Sequence, residues 1–164
     1  SDDDGLIVGY LMAAVQMAER QTNLLLATQT WELTLERFPD DGNLRLPRSP
    51  VQSITSITYV DTNGIEQTLA ADQYLVDAVS SPARITPAYG LVWPSTREQN
   101  NAVKVRFVAG YGATAASVPD DIRLWMIAHA CQVLRLPEGI TSGTLAPLPF
   151  VDRLLDCHVV WRST

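Results

Sequence analysis

Cysteine, basic charge and long apolar runs are all scarce in this sequence, and each shortage removes a class of function. The two cysteines, Cys131 and Cys157, stand alone with no Cys-x-x-Cys pair. Their spacing gives neither a zinc site nor a disulfide framework, and a reducing cytoplasm is the expected compartment. Twelve lysines and arginines face eighteen aspartates and glutamates, for a net charge of −6. That balance works against the counterion release on which binding to phosphate backbones depends, so tight DNA binding is not expected. No apolar run approaches the roughly 18 residues needed to span a bilayer, and Asp2-Asp3-Asp4 is the wrong flank for a secretory leader. A soluble protein not exported by that route is expected, and Ser1, which is no initiator methionine, leaves the true start of the chain open.

Catalytic signatures are missing too. There is no Gly-Lys-Ser/Thr of a P-loop and no Gly-x-Ser-x-Gly elbow. Gly110-Tyr111-Gly112-Ala113-Thr114-Ala115 formally satisfies the dinucleotide fingerprint G-x-G-x-x-[GA]. In a true site, however, the helix begins inside the glycine turn so that its N-terminus meets the pyrophosphate, and Pro119 places the helix here several residues too late. The segment reads instead as a loop whose glycines supply unusual backbone angles. His129 lies on an apolar helix face and reads as a satisfied, partly buried histidine. His158 beside Cys157 suggests a thiolate–imidazole pair, but neighbours on a helix point about 100° apart and do not face each other. Asp120 and Asp121, like Asp2 to Asp4, read as helix capping. No catalytic, cofactor-binding or metal-ligating residue is assigned, no cofactor is expected, and the chain is not expected to be an enzyme.

What is present is a foldable chain of 164 residues, 46% hydrophobic and 18% charged, enough for one domain or one domain with an insertion. Leu6, Tyr10, Ala13, Ala14, Met17 and Ala18 recur at three- and four-residue spacings, predicting a helix from Asp2 to about Thr22. From Leu24 the period changes to two. Trp31, Leu33 and Leu35 alternate with Glu32, Thr34 and Glu36, and further strands follow at 44–47, 51–60, 66–69, 74–77, 84–86 and 103–107, with Asn63-Gly64 as a hairpin turn. Val118-Pro119-Asp120-Asp121 opens a second helix with Ile122, Trp125, Met126, His129 and Val133 on its apolar face, ended by Pro137 and Gly139. A linker at 140–147 precedes a short amphipathic helix carrying Phe150, Leu154, Leu155, His158 and Trp161, with Asp152, Arg153, Asp156 and Arg162 on its polar side. The fold class is α+β: a helical body from the N- and C-terminal helices (1–23 and 113–164) with an inserted antiparallel β region (24–112). A short apolar helix is marginal alone and must pack on its own domain or on a partner.

Several signatures, in order, resemble phage head–tail connector (adaptor, head completion) proteins of the long form with a β insertion. They are Asp3-Asp4-x-Leu6-Ile7 with Ala13-Ala14 and Glu19-Arg20; Gln29-Thr30-Trp31; Leu46-Pro47-x-Ser49-Pro50-Val51; Ile57-Thr58-Tyr59 with Asn63-Gly64; Tyr74; Arg84-Ile85; Trp93-Pro94; Val105-x-Phe107-x-Ala109-Gly110-Tyr111-Gly112; and Val118-Pro119-x-x-Ile122. Together they cover nearly the whole chain. Two features depart from the family: a short helix usually precedes the Asp-Asp start, and Cys157-His158 stand where a proline with aromatic or basic residues is common. The resemblance implies a ring, commonly of twelve copies, seated under the portal protein and leading DNA toward a stopper or tail-terminator protein, without catalysis and without a membrane. It implies a virion location, with assembly in the bacterial cytoplasm, in a phage or a gene-transfer-agent-like particle. It also implies a portal-docking tail, for which Phe150, Leu154, Leu155, Trp161 and Arg162 are the candidates. The competing reading is a carbohydrate- or peptide-binding module that would use Trp31, Trp93 and Tyr111 as exposed stacking platforms.

Overall fold

Asp2–Thr22 form α1, a rod about 31 Å long at 1.5 Å per residue. In the computed structural model, which describes residues 2–134, 151 and 153–160, its C-terminal end is closed by three interactions. Thr22 Oγ1 donates back to the Ala18 carbonyl at 2.7 Å, and Asn23 takes the left-handed backbone (φ 59°) that stops a helix and that asparagine tolerates. The Val160 N–H donates to the Thr22 carbonyl at 2.9 Å while Asn23 Nδ2 donates to the Val160 carbonyl at 3.0 Å. Val160 is therefore stitched to the end of the first helix.

The apolar face of α1 lies slightly off its predicted position. Ala14 and Ala18 are buried and Val15 packs beside them, but Ala13 and Met17 are exposed and Tyr10 is half-buried. The working stripe is Ile7, Leu11, Ala14, Ala18, at spacings of four, three and four. Small alanines let α2 approach closely where the larger Met17 would hold it away.

Among the described residues seven strands follow: β1 Gln29–Leu35, β2 Leu44–Arg45, β3 Val51–Val60, β4 Glu66–Thr68, β5 Tyr74–Asp77, β6 Arg84–Pro87 and β7 Val103–Ala109. They make two antiparallel sheets, of order β1-β7-β3-β4 and β2-β6-β5. β7 is central because it alternates cleanly: Val103, Val105, Phe107 and Ala109 are buried while Lys104 and Arg106 face water. Glu32 stands opposite Arg106 in the register and pairs with it at 3.2 Å on that wet face, an exposed ion pair worth about 0–1 kcal/mol. The β3–β4 hairpin turns at Gly64, whose φ of 85° supplies the left-handed step. The Asp61 carboxylate accepts from the N–H groups of Asn63 and Ile65 at 2.9 and 3.0 Å and locks that turn.

Two apolar cores result. One is the β core of Ile57, Ile85, Val103, Val105, Phe107, Leu44 and Leu46, against which Phe38 and Trp93 stack with ring centroids 4.8 Å apart. The other joins α1 to α2 (Asp120–Leu134) through Ala18, Leu24, Leu26, Ile122, Trp125, Leu155 and Val160. The Gly110–Gly112 segment joins them: the Gly110 N–H donates to the Pro50 carbonyl at 2.8 Å and the Thr28 N–H to the Gly112 carbonyl at 3.0 Å. Gly110 sits at φ 130°, and a β-carbon there would lie 2.4 Å from the Ala27 carbonyl oxygen. These glycines serve backbone crossing, as expected, and α2 starts only at Asp120, too far along to form a phosphate cradle.

The α+β class holds. Of the expected C-terminal amphipathic helix, the described residues show Val151 in α-helix and Arg153–His158 in a 3-10 turn, the tighter form that short helical pieces adopt. The predicted helix stop at Pro137 and Gly139 and the linker at 140–147 lie outside the described residues.

Candidate assembly interface

The helical body carries apolar surface that its own core does not use. Ile7 and Leu11 continue the stripe that is buried at Ala14 and Ala18, yet are 38% and 39% exposed, and Val8 and Met12 beside them are more exposed still. On α2, Leu124 and Ile127 are each more than half exposed, and Cys131 is exposed four residues on. Spacings of three and four put these residues on one side of the helix. Surface apolar residues scattered singly need no explanation, but a helix face that is core at one end and bare at the other is a candidate contact surface.

Of the five docking candidates, Leu155 is buried in the helical core at 2% exposure and Leu154 is half-buried against it. Phe150, Trp161 and Arg162 lie outside the described residues. On α2, Ile122 and Trp125 are buried as read from the sequence, and His129 stacks on Trp125 with centroids 3.9 Å apart while its Nδ1 meets the Trp125 carbonyl at 3.0 Å. This is the satisfied histidine the sequence suggested.

Asp121 does more than cap. Its Oδ1 accepts the Ile122 N–H at 2.9 Å, while its Oδ2 lies 2.6 Å from His158 Nε2 and 3.9 Å from Cys157 Sγ. Burial pushes this carboxyl up, but the hydrogen bonds from His158 and the Ile122 N–H outweigh it and hold the group below its ordinary value. Tyr111 is pushed up, first by burial and then by the Asp121 carboxylate. The divergence of adjacent side chains was sound as geometry but insufficient as a test, because Cys157 and His158 both reach a third group on another element. No sequence signal links Asp121 to residues 36 and 37 positions away.

The three aromatics of the binding-module reading are engaged rather than presented. Trp31 is half-buried under the Arg48 guanidinium at 4.8 Å. Trp93 stacks on Phe38 and donates from Nε1 to the Gly42 carbonyl at 3.2 Å. Tyr111 packs against the helical core. None is a free platform. The most exposed large apolar side chains of the β region are instead Val79, Tyr89 and Val92 in its loops, with Leu75 and Val76 of β5 partly bare as well.

No family model and no curated protein matches the chain. Solved structures do. One is a chain of the virion of a native gene transfer agent particle, with a TM-score of 0.80 and 26% identity over 98% of this chain and 80% of that one. A second is from the neck of an empty gene transfer agent particle computed with C6 symmetry, at TM-score 0.79, 26% identity, and 99% and 80% coverage. A third is from the neck of the native particle computed with C12 symmetry, at 0.78, 25%, and 97% and 84%. The fold is shared with these gene transfer agent virion and neck chains. Helices and sheets both fall inside the matched span, so the β region of this chain is part of what it shares with those chains. Among the described residues, no helix is long and apolar enough to cross a membrane.

Proposed function

We propose that this chain is a structural, non-enzymatic adaptor subunit at the head–tail junction of a tailed phage or gene-transfer-agent-like particle. Copies of the chain form a ring under the portal protein, twelve in number on the precedent of the symmetry used for one matched neck. The ring continues the DNA channel toward a stopper or tail-terminator protein. The observation that carries this reading is the agreement of nearly the whole chain with a chain of gene transfer agent particles. The bare Ile7–Leu11 and Leu124–Ile127 faces agree with it, because a stable ring contact needs about 1,200–2,000 Å² of buried surface and apolar helix faces supply it. The helical body, 1–23 and 113–164, forms the ring wall; the β region, 24–112, lies outside or toward a neighbour; and the C-terminal segment reaches the portal.

DNA passes this ring without specific binding. The net charge of −6 suits a like-charged wall along which DNA slides without sticking. A ring structure whose channel-facing side chains were mainly arginine and lysine would contradict that part.

Native mass spectrometry of the protein mixed with the portal ring of the same particle tests the assignment. About one copy bound per portal subunit is the expected result, even where the free protein is monomeric. No association at low and moderate salt would overturn it.

A further inference from the structure

We infer that Asp121, Cys157 and His158 form a binding site for a divalent transition-metal ion of the zinc class, clasped between the start of α2 and the C-terminal 3-10 turn. The three residues supply a carboxylate, a sulfur and an imidazole, all with ligand atoms within 4.8 Å of one another. This mixture is what borderline-soft ions select, whereas calcium and magnesium take oxygen alone.

The spacing is close to what a bound ion needs. With metal–ligand bonds of about 2.0–2.3 Å in a tetrahedron, oxygen and nitrogen ligands stand about 3.3 Å apart and oxygen and sulfur about 3.5 Å. Here the Asp121 Oδ2 to His158 Nε2 gap is 2.6 Å and the Asp121 Oδ2 to Cys157 Sγ gap is 3.9 Å. One must widen and the other close by well under 1 Å, and the third edge, Cys157 Sγ to His158 Nε2, is no longer than 4.8 Å and must close by at most about 1.3 Å.

Two further features suit a site. The Ile122 N–H holds Asp121 Oδ1 at 2.9 Å, so the carboxylate is already oriented by an outer hydrogen bond, as metal-ligating carboxylates generally are. A cavity of about 240 Å³ abuts Cys157 and His158 and is also walled by Tyr111, Val160 and Ser49. It leaves room for a water as fourth ligand. Ser49 is buried at 4% exposure and its Oγ has no hydrogen-bond partner among the described residues, so a polar group on that wall awaits one. When the ion binds, the Cys157 thiol proton leaves to solvent and the sulfur ligates as thiolate. The ion then joins α2 to a segment more than thirty residues away, adding to the Val160–Thr22 hydrogen bond that secures the same end of the chain.

The test is titration of the full chain, purified without a histidine tag and freed of metal by a chelator, with Co²⁺ and then with competing Zn²⁺. One equivalent of Co²⁺ should give a thiolate-to-cobalt charge-transfer band and the intense visible absorption of tetrahedral cobalt, both discharged by Zn²⁺. Cys157→Ser should abolish the charge-transfer band and Cys131→Ser should leave it intact. His158→Gln should weaken binding by about tenfold or more, since even outer-sphere partners cost that much. At a zinc concentration near the parent Kd, Zn²⁺ should raise the melting temperature of the parent chain by more than that of His158→Gln. Cys157 is exposed, so a folded Cys157→Ser chain is expected and circular dichroism checks it. No cobalt band at millimolar metal, a band that survives Cys157→Ser, or one lost only in Cys131→Ser would overturn the site and leave only a His158–Asp121 hydrogen bond. Such a failure would not touch the ring assignment, which rests on other residues.

Discussion

Replacing Ile7 and Leu11 together by aspartate separates folding from assembly. Fully burying an isoleucine or leucine side chain is worth about 1.5–3 kcal/mol. Ile7 and Leu11 are 38% and 39% exposed in the single subunit. Covering what remains recovers roughly 1 kcal/mol each, about 2 kcal/mol per subunit contact. Two carboxylates placed in that contact add a desolvation cost of about 2 kcal/mol more, so the contact should weaken by about 4 kcal/mol, on the order of a thousandfold. The single subunit loses the already covered share of both side chains, roughly 1–2 kcal/mol each, and about 1 kcal/mol of helix propensity. The double variant should keep its circular dichroism spectrum and a cooperative melt at a lower temperature, and, assayed well below that melt, should fail to load onto portal rings in native mass spectrometry and sedimentation velocity. A folded variant that loads with unchanged stoichiometry and half-saturation would show that the bare end of α1 is not where a neighbour sits.

Three further perturbations follow from the same structure. Gly110→Ala puts a β-carbon 2.4 Å from the Ala27 carbonyl oxygen at a φ of 130° and should cost about 3 kcal/mol or more in urea unfolding; a near-neutral result would mean that the β1–β7 crossing is looser than described. Asp77 is held below its ordinary value of 3.8 by the Ser80 hydroxyl and N–H and then by Arg84. Because its folded pKa is depressed, its contribution is complete above about pH 4 and is lost as pH falls through the folded value. Asp77→Asn should accordingly lower the melting temperature at pH 7 by an amount that narrows in acid, and a deficit that stays constant down to pH 2 would refute the assignment. Leu155→Asp buries a carboxylate at a 2%-exposed core position and should cost about 3–5 kcal/mol. Hydrogen exchange should show lost protection in α1 and α2 with β1, β3 and β7 still protected, and portal loading should fall; equal loss in the sheet would mean the two cores do not open separately.

The strands were legible because water faces one side of most of them. Lys104 and Arg106 between Val103, Val105 and Phe107 state a period of two without ambiguity, and the structure pairs that strand on both edges. The turn at Asn63-Gly64 was legible because so few residues accept a positive φ. The convergence of Asp121 with Cys157 and His158 was not legible, since periodicity relates residues within one element and says nothing about which elements meet. Capping accounted for Asp121 fully at the level of one helix, and only packing shows that its second oxygen points elsewhere.

The α1 stripe shows the same limit from the other direction. Hydrophobic period reports that a face will be covered; it does not report by what. Ala14 and Ala18 are covered by this chain, and Ile7 and Leu11, on the same line, are not. A monomeric protein would gain by placing polar residues beyond the point where its own core ends, because bare apolar stripes invite aggregation. A ring subunit needs the opposite, a stripe continuing past its core so that one pattern serves folding at one end and assembly at the other. The sequence feature that distinguishes the two is not hydrophobicity but side-chain size: alanines where helices of one chain meet closely, then isoleucine, leucine and methionine where a wider gap must be filled. On that argument, Met12, at 63% the most exposed large apolar residue of α1 among those described, belongs near the middle of the proposed subunit contact.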